Sequence, residues 1–290
     1  MIDPLAYLLS PVSYEFMQRG LAASVIVGVV CAVIGCFVVL RGMAFLGDAM
    51  AHAILPGVAA AYLLQGDLLV GALVAAVLVA LSIGYFSRDG QIKEDTAIGI
   101  VFAGSLALGV ALMSTIRTYS SDLTHVLFGN VLGVGERDLW VIAGVGALVL
   151  VSVLALYKEF TLISFDPILA VTLKMPVKLL HNSLLVLLAL TVVVSLQTVG
   201  VGLVVAMLIT PAATGYLLVR RLAPMMMLAA AIGAISCIVG LYASFYANIA
   251  SGAAIVLTCT VIFVLVYVFA PNRGVLWGLV RASRLAHTKA

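Results

Sequence analysis

Long apolar stretches alternate with short polar punctuation along this chain. Residues 21–40, 68–86, 96–116, 139–157, 225–246 and 250–270 each run without Asp, Glu, Lys or Arg. A helix needs about 20 residues to cross the roughly 30 Å hydrocarbon core of a bilayer, and these runs come close to that length. Backbone polar groups in lipid must find partners within their own segment, so each run is predicted to be a helix. A membrane barrel would show alternating stretches of about ten residues, and the pattern here has none. Residues 184–219 form a charge-free stretch of 36, too long for one crossing, interrupted by Gln197, Thr198, Gly200 and Gly202. They predict a helix ending near Leu196 and a second one containing Pro211. Residues 51–64 are short for a crossing and contain Pro56. The expected fold class is all-α: a polytopic transmembrane helical bundle of eight or nine spans, with a broken or short second span. We expect a single membrane domain over residues 1–290, with an N-terminal segment (1–15), a cytoplasmic loop (158–182) and a cytoplasmic tail (271–290).

Composition supports the membrane assignment. Hydrophobic residues make up 64% of the chain and charged residues 9%, against about 25% charged in a soluble domain. The four cysteines, at 31, 36, 237 and 259, all fall inside apolar runs and are expected as small buried hydrophobes. No basic stretch with a small-residue cleavage site precedes the first span, so no cleaved signal peptide is expected. Lys and Arg favour the cytoplasmic ends of spans. Arg41, Arg88, Lys93, Lys158, Lys174, Lys178, Arg220, Arg221 and the tail cations Arg273, Arg281, Arg284 and Lys289 fall on one side if nine crossings run from an outer N-terminus to an inner C-terminus.

Few residues could carry chemistry. In the segment from Arg41 to Gly57, Asp48 and His52 are four apart and share a helical face. Carboxylate oxygen and imidazole nitrogen together suit divalent Mn, Fe or Zn. Pro56 cannot donate to the carbonyl of His52, which predicts a kink and a free carbonyl beside the pair. Irregular backbone at membrane depth is tolerated where it lines a cavity, and intramembrane ionisable groups are functional candidates. The plainer alternative makes Asp48, after Gly47, an N-cap and His52 an interfacial side chain. Two ligands make a poor metal site, whereas a dimer presenting two pairs offers four donors. Further along, Asp166-Pro167 reads as a helix start, opening a short helix to about Lys174 before Pro176. Such a helix can lie on the membrane or dock into a partner. Gln197 and Thr198 are expected to bind helices together, and His125, His181 and His287 to lie at the surface. No Walker A loop and no H-E-x-x-H motif is present.

Several segments, in order, resemble the permease subunits of the zinc/manganese/iron class of ATP-binding-cassette importers. They are Leu40-Arg-Gly-Met-Ala-Phe-Leu-Gly-Asp-Ala-Met-Ala-His-Ala-Ile-Leu-Pro-Gly57, Lys93-Glu-Asp-Thr-Ala-Ile-Gly99, Leu127-Phe-Gly-Asn-Val-Leu-Gly-Val134, Phe165-Asp-Pro167, Val199-Gly-Val-Gly-Leu203 with Thr210-Pro-Ala212, and Ser251-Gly-Ala-Ala-Ile-Val256. The resemblance implies a type II ABC importer-like fold in the bacterial plasma (inner) membrane. It implies that Asp48 and His52 line the pathway and contact the transported divalent metal, with no permanently bound cofactor. Phe165, Asp166, Pro167 and Ala170 are implied in coupling to the ATPase. The implied partners are a second copy of the permease, two ABC ATPase subunits inside and a metal-binding solute receptor outside. The ending Ala-His-Ala-Ile-Leu-Pro-Gly favours the manganese/iron branch, with zinc next.

Three rivals make different demands. A secondary, ATP-independent metal transporter or channel needs its own coupling-ion site, and acidic residues inside the spans are almost absent. A polytopic membrane enzyme needs a nucleophile–base pair or a full metal site. A permease for a siderophore or cobalamin has no need of the Asp48/His52 pair.

Overall fold

The computed structural model describes residues 11–87, 92–115 and 131–270. Twelve α-helices and two short 3-10 turns account for nearly all of them, and no strand occurs among the described residues. In chain order the helices are α1 (Glu15–Arg41), α2 (Ala44–Ala53), α3 (Leu55–Leu63), α4 (Leu68–Phe86), α5 (Glu94–Ser114), α6 (Glu136–Ala155), α7 (Tyr157–Phe165), α8 (Pro167–Thr172), α9 (Val177–Val199), α10 (Val201–Leu218), α11 (Leu222–Ala247) and α12 (Ser251–Phe269). Among the described residues, eight units are long and apolar enough to cross a membrane: α1, the α2–α3 pair, α4, α5, α6, α9, α11 and α12. Leu203–Leu218 of α10 is a shorter apolar stretch. The long charge-free stretch divides at Gly200, whose φ of 80° is open to glycine and strained for other residues.

Helix α1 is the centre of the bundle, packed against α11, α10, α6 and α9. Lipid supplies no hydrophobic drive between helices, so close backbone approach has to hold them. Small residues permit it: a Cβ on Gly233 of α11 would lie 2.6 Å from the carbonyl oxygen of Gly28 on α1. The α3–α4 crossing is as tight, with Gly57 and Gly71 face to face. Several hydroxyls inside the spans are satisfied within their own helices, as Thr191 is by the Leu187 carbonyl at 2.8 Å and Ser152 by that of Leu148 at 2.7 Å. The outer faces are apolar and exposed: Val74 and Leu78 on α4, Leu148 and Val151 on α6, Leu257 and Val261 on α12. Such faces are suited to acyl chains.

All four cysteines are buried free thiols. Cys31 lies 3.2 Å from the Ser195 hydroxyl, Cys36 donates to the Ala32 carbonyl and Cys237 to that of Ser24.

The second span is broken as Pro56 predicts, but the break falls at Ile54. Its upstream half starts earlier than the short run suggests. Helix α1 closes at Gly42 in the left-handed region (φ 72°), with Met43 N–H donating to the Val38 carbonyl at 3.0 Å. The chain re-enters helix at Ala44, so α2 and α3 together reach 20 residues.

Candidate ion site and coupling surface

Met43, not Asp48, is the N-cap of α2, so Asp48 and His52 both stand within one continuous helix. Most of α2 is buried: Leu46, Gly47, Ala49, Met50, Ala51 and Ala53 all face the core. One stripe is not. Phe45, Asp48 and His52, spaced by three and four, run along its open side. The Asp48 and His52 side chains are 41% and 36% exposed, and Asp48 Oδ1 lies 3.7 Å from His52 Nε2. Metal–ligand bonds of about 2.0–2.2 Å allow two donors to share one ion when they are no more than about 4.3 Å apart. This pair meets that condition without rearrangement.

Aromatic rings border the stripe. Phe102 of α5 sits with its ring centre 6.2 Å from the His52 imidazole and 5.8 Å from Phe45, edge to face. Below the imidazole, the carbonyl of His52 is not free as the proline alone suggests. The N–H of Ile54 turns onto it, and the amides of Gly57 and Val58 both take the Ile54 carbonyl. No group of three His, Cys, Asp or Glu side chains comes together among the described residues. One chain therefore offers one oxygen and one nitrogen, with the open side left for further donors.

The second region is the segment between α6 and α9. Asp166 caps α8 by accepting from Leu169 N–H at 2.9 Å, and Pro167 takes the first helical position. The helix is shorter than expected, ending at Thr172. Lys174 there adopts φ 57°, and the Lys174 and Met175 amides close onto the Val171 and Ala170 carbonyls, a Schellman ending. Phe165, Ile168, Val171 and Leu173 are exposed, Ile168 at 80%. Ala170 is 0% exposed. It belongs to the face that seats α8 on the bundle.

His181 is also corrected. It is not a surface residue: its side chain is 15% exposed, and it stands between Arg41 and Glu94. His125 and His287 lie outside the described residues, and so do the side chains of Gln197 and Thr198.

Residues 13–270 match the ABC 3 transport family. The chain belongs to that family. The permease is 48% identical over 279 residues to the manganese transport system membrane protein MntC of Halalkalibacterium halodurans, covering 95% of this chain and 96% of that one. It is 41% identical over 259 residues to the chelated iron transport system membrane protein YfeD of Yersinia pestis, covering 89% and 87%. It is similar to a chain of the solved structure of PsaBC from Streptococcus pneumoniae in complex with Fab, with a TM-score of 0.81, 41% identity and coverage of 93% and 97%. The permease is thus the multi-pass inner-membrane subunit of an ATP-binding-cassette importer of divalent metal ions. It is not itself catalytic, because ATP hydrolysis resides in a separate subunit. That membership sets aside the ATP-independent carrier and the membrane enzyme.

Proposed function

We propose that the permease imports manganese or iron, with zinc next, through a site made by Asp48 and His52 from two copies of the chain. The observation that carries this reading is the single open stripe on a helix otherwise buried, with an oxygen and a nitrogen donor 3.7 Å apart upon it. Two copies facing one another supply four donors, a usable shell for these ions. The names of the similar manganese and iron transport proteins support the choice of cargo.

The working cycle is alternating access. An extracytoplasmic metal-binding receptor delivers the ion to the mouth between the copies. Asp48 and His52 replace part of its hydration shell. Two ATPase subunits on the cytoplasmic side close on ATP, and the exposed face of Phe165 and α8 carries that movement into the spans. A pathway site must also release its ion, so a small donor set suits transport better than storage.

Replacing Asp48 or His52 by Ala is expected to abolish manganese uptake in a cell lacking other importers, with the complex assembled and ATP hydrolysis retained. Wild-type uptake by both variants removes the pair from the pathway.

A further inference from the structure

Three polar side chains meet at one end of the bundle, away from the ion-facing stripe. Arg41 is the last residue of α1, Glu94 the first of α5, and His181 lies five residues into α9. Arg41 Nη1 is 2.8 Å from His181 Nδ1. His181 Nε2 is 3.3 Å from Glu94 Oε1. A guanidinium can only donate, so Nδ1 accepts and the ring proton belongs on Nε2, towards the carboxylate. The imidazole therefore joins a cation to an anion, one through each nitrogen. Glu94 Oε1 is enclosed without an aligned hydrogen-bond donor, and the imidazole is what faces it. Desolvation offsets much of the attraction between charges held this way, so replacing the whole set with apolar residues often does not weaken a fold.

What the three residues connect is more informative than what they stabilise. Arg41 is followed by the left-handed Gly42 and then by α2, which carries Asp48 one turn on. Glu94 opens α5, whose Phe102 ring lies against His52. On the same helix, a Cβ at Gly109 would stand 2.8 Å from Leu55 beside the break in the second span. His181 follows α8 by nine residues, on the helix that α8 leads into. Beside the cluster is an open cavity of about 760 Å³, lined by Arg41, Glu94 and His181 with Lys93, Lys178 and Asn182. It leaves room for the group to shift as a body.

We propose that the Arg41–His181–Glu94 bridge positions the ion-facing stripe, by making the ends of α1, α5 and α9 move together when α8 is displaced. This rests on the reading that α8 docks on the ATPase subunit. The bridge ties α9, into which α8 leads, to α5, whose Phe102 borders His52, and to the end of α1, which leads into α2. Helix α9 also packs directly on α1 and α2, so what the bridge adds is the tie to the start of α5; without it, α9 could shift while α5 stays behind.

The test uses the whole importer, with both permease copies and ATPases, in proteoliposomes that hold ATP inside, with the receptor and manganese(II) outside. The readout is ions carried per ATP hydrolysed. ATP-dependent uptake by the wild type is the reference, and its absence would fail the import reading rather than the bridge. His181→Leu and Glu94→Gln are expected to assemble, to hydrolyse ATP and to carry about tenfold fewer ions per ATP, within the range of couplings between distant sites. His181→Gln should recover most of the loss, because its carbonyl can accept from Arg41 and its amide donate to Glu94. Wild-type stoichiometry in both of the first two variants, a Gln variant no better than Leu, or loss of assembly in both would overturn the proposal.

Discussion

The α3–α4 crossing lends itself to a quantitative test. A Cβ at Gly57 would stand 2.2 Å from the Gly71 carbonyl oxygen and 2.5 Å from the Ala75 Cβ. The nearer obstacle is helix backbone, which cannot rotate aside. Ordinary contact begins near 3.4 Å, so Gly57→Ala must part the two helices by about 1.2 Å, a packing strain of about 1–3 kcal/mol. Alanine also gains about 0.5–1 kcal/mol over glycine in a helix interior. Gly144→Ala on α6 isolates that gain, because nothing lies within 4 Å of the added carbon. Gly57 stands in the first turn of α3, where that gain is smaller, so Gly144→Ala sets an upper bound on the backbone contribution. The assay is the fraction of purified importer still monodisperse after heating, at one fixed heating rate because such unfolding is irreversible. Gly57→Ala should fail at a lower temperature than the wild type, and Gly144→Ala at the same temperature or slightly higher. Gly57 lies five residues beyond His52, so uptake should also fall in Gly57→Ala below its failure temperature. Coincident melting curves for the two variants would refute the tight crossing.

Two further outcomes follow from the geometry. Ile168→Asp puts a charge on the most exposed apolar position of α8. It should abolish co-purification of the ATPase subunit while the permease keeps its melting temperature. Asp67→Ala removes the side chain that accepts from Leu69 N–H at 2.8 Å. Loss of such a cap costs about 1 kcal/mol, so heat resistance should drop slightly with uptake per molecule unchanged.

The spans were legible in the sequence because lipid imposes one rule on every backbone group, and charge-free runs reveal where it applies. Pro56 announced the break in the second span, and Gly200 the division of the long apolar stretch. What the pattern missed depends on contacts between distant segments. Asp48 after Gly47 looked like a cap; in fact Gly42 ends α1 so sharply that α2 begins four residues before Asp48. Arg41-Gly42 was the available signal, a glycine one residue past a helix end. Ala170 looked equivalent to its neighbours, because six residues are too few to establish which side of a helix is buried. His181 looked peripheral since its partners are 140 and 87 positions away in the chain. Its one clue was shared sidedness: residues 41, 94 and 181 all sit near span ends that the charge bias assigns to the same face.

The enclosure of Cys31, Cys36, Cys237 and Cys259 within the helix packing bears on how fast cargo can leave. Thiolate grips late first-row cations far harder than carboxylate or imidazole does, and a single reachable sulfur along the route would hold an ion long after the carboxylate and imidazole had let it go. With every cysteine sealed away, an ion held by the proposed Asp48–His52 site would leave at the rate of weaker, faster-exchanging oxygen and nitrogen donors. The same seclusion shields the thiols from oxidation by a redox-active passenger.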